Sequence, residues 1–222
     1  YLRIEMETLD YIVKKYNIDL NKSSPFWLKF NRVIDLPQLF KQLDFTKGAE
    51  IGALEGNFSE ILCRELPETK IYSIDPWEFY PVHKNFRKEW MYEPIYQRAK
   101  ERLSKYPNSM IIRKKSMDAV KDFEDESLDF VFIDADHRFQ FITNDIAEWS
   151  KKVRHGGIIS GHDFAEGSRS HEFVHVKSVV EAWTYSYRIH PWFVLDHPLE
   201  RGWMWVKTQN YQLSYRSTTV TK

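Results

Sequence analysis

The residues best suited to chemistry stand in two runs, Ala49-Glu50-Ile51-Gly52-Ala53-Leu54-Glu55-Gly56 and Ile71-Tyr72-Ser73-Ile74-Asp75. The first places an acid two residues before a GxxxG turn that opens a helix, and the second is a strand ending in an acid. Together they lay out a nucleoside-binding βαβ unit. Gly52 and Gly56 carry no Cβ where the backbone must turn sharply and let a ligand come close. Asp75 stands where a carboxylate accepts hydrogen bonds from both ribose hydroxyls. Glu50, one strand over, suits the cationic end of an amino-acid moiety. The spacing differs from the GxGxxG of dinucleotide sites, whose helix N-terminus takes a pyrophosphate. An acid beside the turn repels pyrophosphate and favours a sulfonium and an ammonium.

A second constellation lies in the other half of the chain. Leu128 to Ile133 reads as a buried strand ending in Asp134-Ala135-Asp136-His137, and Ile158 to Gly161 as the next strand, ending in His162-Asp163. In a parallel sheet such ends open into the crevice that holds the ligand. A histidine near its reference value of about 6.5 is a suitable base at neutral pH, which singles out His137. Asp136 is the adjacent carboxylate placed to orient it. His171 and His175, with Arg169 and Glu172, read as the far wall of an acceptor site, whereas His83, His155, His190 and His197 read as surface or packing residues.

The wording of these segments is similar to that of a known family. EIGALEG at 50 and beyond, IDPW at 74–77, SMDAV at 116–120, IDADH at 133–137, DIAEW at 145–149 and GGIISGHDF at 156–164 resemble the class I S-adenosylmethionine-dependent methyltransferases, in particular the macrocin-type sugar O-methyltransferases, over about residues 45–207. The resemblance implies S-adenosylmethionine as cofactor and S-adenosylhomocysteine as product. It implies cofactor contacts at Glu50, Gly52, Ala53, Gly56, Asn57, Asp75, Pro76, Trp77 and Asp134, with Ser116, Met117 and Asp118 lining the adenine. Leu54 stands where the wider superfamily often has a glycine, and the absence of that glycine agrees with the O-methyltransferase branches.

A more distant likeness, to catechol O-methyltransferase-like enzymes, implies a divalent metal such as Mg or Mn. Asp134, His162 and Asp163 fall at the ligand positions, and His137, three residues after the first ligand, at that of the general base. His162 replaces an acid, which removes one charge for a hard cation, although imidazole is an ordinary ligand for Mn²⁺, Fe²⁺ or Zn²⁺. The alternative is a loop cap for Asp163 and a hydrogen-bonded crevice wall for His162. The resemblance gives catalytic roles to His137, Asp134 and Asp163 in O-methylation of a sugar or glycan. Methylation of a phenolic or other small metabolite would use the same residues, and a non-catalytic cofactor-binding module is the reading outside enzymes. Methylation of nucleic acid is disfavoured, because amino-methylating enzymes present a flipped base with a Pro-rich tetrapeptide where this chain has Asp-Ala-Asp-His.

The elements that must position these residues alternate. Strands are predicted near 48–52, 70–75, 109–113, 128–134, 156–161, 192–196 and 202–207, and helices at 57–66, 92–105, 116–121, 139–153 and 175–187. This is an α/β, Rossmann-like, seven-stranded, mostly parallel sheet with helices on both faces, and its antiparallel strand is expected at the edge. Helices at 4–18 and 35–43 form a short N-terminal helical extension over 1–44, ahead of a catalytic domain over 45–207 and a polar tail over 208–222. The aromatic stretch from Trp77 through Phe79, Tyr80, Phe86, Trp90, Tyr92 and Tyr96 reads either as a solvated helix over packed rings or as a cover on the site.

The 222 residues carry 32 Lys+Arg against 32 Asp+Glu, so no global field attracts nucleic acid or an anionic membrane. The single cysteine, Cys63, excludes a disulfide framework and reads as a buried small hydrophobe. No apolar run is long enough for a membrane span and no signal peptide is visible, so a cytoplasmic setting is expected. The start at Tyr1 reads as one domain of a longer polypeptide, and the expected partner is a small-molecule or glycan acceptor.

Overall fold

The computed structural model describes residues 8–78, 88–169, 172–198 and 200–208. The first residues of the expected N-terminal helix, Phe79, Tyr80, His83, Phe86, His171 and the tail beyond residue 208 lie outside them, as do the side chains of Arg169 and Glu172. In chain order the elements are α1 (Thr8–Lys15), β1 (Phe26–Lys29), α2 (Arg32–Gln42), β2 (Lys47–Ile51), α3 (Asn57–Glu65), β3 (Lys70–Asp75), α4 (Tyr92–Leu103) and β4 (Ser109–Arg113). There follow α5 (Ser116–Ala119), β5 (Leu128–Ile133), α6 (Phe139–Lys152), β6 (Val153–Gly161), β7 (Gly167–Arg169), β8 (Glu172–Val174), α7 (Val176–Ser186), β9 (Trp192–Asp196) and β10 (Arg201–Val206). Among the described residues no helix is long and apolar enough to cross a membrane.

Eight strands form one sheet in the order β1-β9-β10-β6-β5-β2-β3-β4, and β7 and β8 make a separate hairpin. Within the large sheet every pairing is parallel except those of β10, which runs against β6 and β9. Two expectations change here. The antiparallel strand is inserted inside the sheet, and the edge is β1, which pairs in parallel with β9. The N-terminal extension therefore contributes a strand as well as helices. Only Leu28 is buried in β1, so its four residues carry no periodicity to read.

Period-two alternation divides the core into two layers. Val131 and Ile133 of β5, Val194 of β9 and Trp203 and Trp205 of β10 face α6 and α7, meeting Ile142, Ile146, Trp149, Val176 and Val180. Phe130 and Phe132, Phe193 and Met204 point the other way, toward α1, α2 and α3, where they meet Ile12, Leu36, Phe40 and Leu62. The Phe40 and Phe130 rings stack with centroids 3.9 Å apart. Because β2 pairs with β3 on one side and β5 on the other, connections leave it in opposite directions, and a crevice opens at the carboxyl ends of these strands.

Candidate functional site

A cavity of ≈ 820 Å³ occupies that crevice. Its wall contains Glu50, Gly52, Ala53, Asn57, Asp75, Pro76, Ser116, Met117, Asp134 and His137, ten of the residues singled out by sequence. Arg32, Tyr92, Phe141, Asn144 and Asp145 complete much of the rest.

The β2–α3 turn is fixed by Asp75. One of its carboxylate oxygens accepts from Leu54 N–H at 3.0 Å and the other from Trp77 N–H at 2.7 Å. Gly52 makes the turn possible. Its φ is +95°, and a Cβ there would lie 2.1 Å from the Asp134 carbonyl oxygen. The two halves of the site meet at this point, so a methyl group at Gly52 must push the β5 end away. Gly52→Ala is expected to lower stability by about 2 kcal/mol or more in urea titration and to abolish cofactor-induced stabilisation. A wild-type midpoint and a wild-type thermal shift in this variant contradict the close approach.

Three of the anticipated cofactor contacts do not reach the cavity wall. Trp77 has φ +46° and turns inward, donating from Nε1 to the Leu54 carbonyl at 2.7 Å and packing with Ala53, Ile95 and Ala99. It holds the turn from beneath. Gly56 adopts the left-handed conformation that starts α3. Asp118 is exposed and pairs with Lys121 at 2.9 Å. Sequence position alone does not distinguish a ring facing a ligand from one buttressing the loop that does.

Glu50 is buried at the head of a hydroxyl relay: Ser73 donates to Ser59 at 2.6 Å, and Ser59 donates to Glu50. Burial pushes its carboxyl up to about 8, and the Asp134 carboxylate adds to this, against the Ser59 hydroxyl and the Arg32 guanidinium. At neutral pH this group is predominantly protonated.

Behind the part of the wall formed by Asp134 and His137, two imidazoles flank two carboxylates, and His162 and Asp163 stand outside the cavity lining. His137 Nε2 lies 3.5 Å from Asp134 Oδ1 and 3.4 Å from Asp163 Oδ2. His162 Nδ1 lies 3.5 Å and 3.3 Å from the same two oxygens. His162 Nε2 meets Glu200 Oε2 at 2.7 Å, and Glu200 also accepts from Arg32 at 3.1 Å. Burial works to raise the Asp134 carboxyl, but the two ring N–H partners outweigh it and hold it well below the usual carboxylate range. Burial works to lower His162, but Asp134 and Asp163 push it up to about 10. Burial likewise works to raise Asp163, and His162 holds it down.

Asp136 does not occupy the orienting position expected of it. Its carboxylate is forked by the Arg138 guanidinium, with Nε contacts of 2.8 and 3.1 Å, and the carboxylates at His137 are Asp134 and Asp163. His175 is a clamp for the same loop: its N–H donates to the His137 carbonyl at 2.9 Å and its Nδ1 accepts from Phe139 N–H at 3.2 Å. Arg32 and Glu200 have no motif to betray them. A helix-start signal existed for Arg32, since Asn31 accepts from Val33 N–H at 3.2 Å and Asp35 accepts from Asn31 N–H at 2.7 Å. Reading that cap starts α2 at Arg32 and brings its guanidinium to the cavity.

Comparison with known proteins supplies a family. A family model described as Methyltransferase domain matches residues 49–164. An uncharacterized protein of Acanthamoeba polyphaga mimivirus is 24% identical over 162 residues, 73% of this chain and 71% of its own length. Among solved structures, the O-methyltransferase TomG of Streptomyces achromogenes, in complex with S-adenosylmethionine, superposes with a TM-score of 0.59 at 17% identity, covering 94% of this chain and 92% of its own. An O-methyltransferase of Bacillus cereus, in complex with S-adenosylhomocysteine, gives 0.54 at 17% identity over 93% of each chain. At these identities the two structures share the fold with this chain.

Proposed function

The chain belongs to the methyltransferase-domain family, and on that premise we propose that it transfers the methyl group of S-adenosylmethionine to a hydroxyl of a sugar or glycan, releasing S-adenosylhomocysteine. The observation that carries this reading is that Glu50, Asp75 and His137 share the wall of one cavity. Asp75, already oriented by two backbone N–H groups, accepts from the ribose hydroxyls with its remaining lone pairs. Glu50 receives the donor's ammonium, which favours the ionised carboxylate inside a buried site. The acceptor oxygen attacks the sulfonium methyl in line. It gives its proton to His137 Nδ1, because Nε2 carries the hydrogen that faces Asp134 and Asp163, and those two carboxylates stabilise the doubly protonated ring. Residues 45–207 form the catalytic domain in this reading, with 1–44 laid against it and 208–222 as a tail.

The donor set fits a divalent ion. Asp134, His162 and Asp163 each offer one ligand atom, all within 4.8 Å of one another. The Glu200 contact adds a reason. If Nε2–H donates to Glu200, a neutral His162 aims its Nδ1 lone pair at two carboxylates, and that arrangement requires a cation between them, either a proton or a metal. Imidazole with two carboxylates suits Mn²⁺, Fe²⁺ or Zn²⁺ better than Mg²⁺. When bound, such an ion would lower the pKa of an acceptor hydroxyl and orient it.

A second reading, methylation of a phenolic metabolite, is favoured by the aromatic side chains near His137. Phe141 lines the cavity, and the exposed Phe139 and Phe173 rings pack around His175. A panel of glycosides and phenols, assayed for S-adenosylhomocysteine with Mn²⁺ and with a chelator, separates the readings. Turnover of glycosides is expected, with Mn²⁺ raising it if a metal serves. Turnover of phenols alone supports the second reading. No turnover with any acceptor contradicts both; if S-adenosylmethionine still gives a thermal shift it favours a non-catalytic cofactor-binding module, and if it gives none the donor assignment fails as well.

A further inference from the structure

On α6, Ile142, Ile146 and Trp149 form the apolar stripe that packs on the sheet, and Asp145 interrupts it. An acid on the buried stripe of an amphipathic helix is costly without a partner. Asp145 is 3% exposed, and among the described residues the group that hydrogen-bonds to it is the neutral Ser116 hydroxyl and not a cationic side chain. It nevertheless belongs to the cavity wall, beside Ser116 and Met117.

Its surroundings give the carboxyl a fixed polarity. The buried Trp149 indole can only donate, and it donates to Ser116 Oγ at 2.8 Å. The Ser116 hydroxyl in turn donates its proton to Asp145 Oδ1. That chain runs in one direction, so Oδ1 is held as an acceptor. Burial pushes the Asp145 carboxyl up to about 7, with the Ser116 hydrogen bond opposing and the Asp136 charge adding. The acid is therefore substantially protonated at neutral pH. It offers an acceptor and an O–H donor side by side, the complement of adenine's amino group and its neighbouring ring nitrogen.

We propose that Asp145, oriented by Ser116 and Trp149, reads the exocyclic amino group of the cofactor's adenine and makes the site selective for adenosyl over deaminated, inosyl cofactors. This rests on the assignment of S-adenosylmethionine as donor. Asp145 is a binding residue in this account, and Ser116 positions it. A hydrogen-bonding site of this kind rejects a ligand that lacks the matching group far more strongly than an apolar pocket does.

The test is calorimetric binding of S-adenosylhomocysteine and of S-inosylhomocysteine to the wild type and to Asp145→Asn, Asp145→Ala and Ser116→Ala, each checked for folding by thermal melt. The wild type is expected to prefer the adenosyl compound by at least tenfold. Asp145→Asn, which keeps an acceptor and a donor, retains most of that preference, and Asp145→Ala loses it along with about tenfold or more in affinity. Ser116→Ala, which leaves the carboxyl in place and frees its polarity, narrows the preference. If Asp145→Ala does not fold, the Ser116→Ala and Asp145→Asn results decide. Wild type that binds both compounds equally, or a variant series in which the preference never moves, overturns the inference while leaving the donor assignment intact. Wild type that binds neither compound overturns the donor assignment and the inference with it.

Discussion

His137→Ala is expected to lower kcat by 10²–10⁴-fold while leaving the affinity for S-adenosylhomocysteine within about twofold of wild type. The reasoning is geometric. His137 lines the cavity with its Nε2 between Asp134 Oδ1 and Asp163 Oδ2, at 3.5 and 3.4 Å, so an imidazolium formed there is stabilised by two carboxylates. Removing the ring takes away the proton acceptor and leaves the turn that carries Asp75 and Gly52 untouched. Rapid-quench or steady-state kinetics on the best acceptor, paired with calorimetry for the product, reads both halves. A variant with unchanged kcat shows that the proton leaves by another route. A variant that also loses product affinity shows that the histidine serves binding.

Glu50→Gln is expected to move stability and binding in opposite directions. A carboxyl with a folded value of about 8 against an unfolded value near 4.5 binds more protons in the native state across that window. Stability is therefore greatest below the unfolded value and falls as pH rises toward 8, by about 3 kcal/mol between pH 4.5 and 7 for this group. Asp145, raised to about 7, adds in the same direction at the lower end of the window. The glutamine keeps an acceptor for Ser59 but cannot ionise, so the slope of Tm against pH is expected to flatten and the melt at pH 8 to rise by a few degrees. Donor affinity is expected to fall by about tenfold to a hundredfold, because the ammonium loses its carboxylate partner. Thermal melts from pH 5 to 8 and calorimetry at pH 8 check both. An unchanged pH slope with unchanged affinity contradicts the placement of this acid at the cationic end of the donor.

The features legible in the sequence were those with local physical signatures. The β2–α3 turn announced itself through two glycines, and the unbroken apolar run from Phe130 to Ile133 specified a strand buried on both faces. The acids and histidines at the ends of β5 and β6 followed from the strands themselves. What escaped was non-local. The insertion of β10 between β6 and β9 depends on a pairing across more than 40 residues of intervening chain, as Trp203 opposite Gly161 shows. Glu200 reaches His162 from the loop before β10, and nothing in its neighbours marks it. Trp77 was visible as a residue but not as a direction, since its left-handed backbone turns the ring inward. Asp145 lies within the DIAEW segment, and its place on an apolar stripe is a readable anomaly whose meaning requires the Ser116 hydroxyl opposite.

The central claim is that one cavity holds the methyl donor between Glu50 and Asp75 with its methyl group toward His137. A crystal structure with S-adenosylhomocysteine and an acceptor analogue tests it most directly. The account predicts ribose oxygens within hydrogen-bond distance of Asp75, the amino group at Glu50, and the acceptor oxygen between the sulfur and His137 Nδ1. A nucleoside bound away from Asp75, or an acceptor oxygen remote from His137, contradicts it.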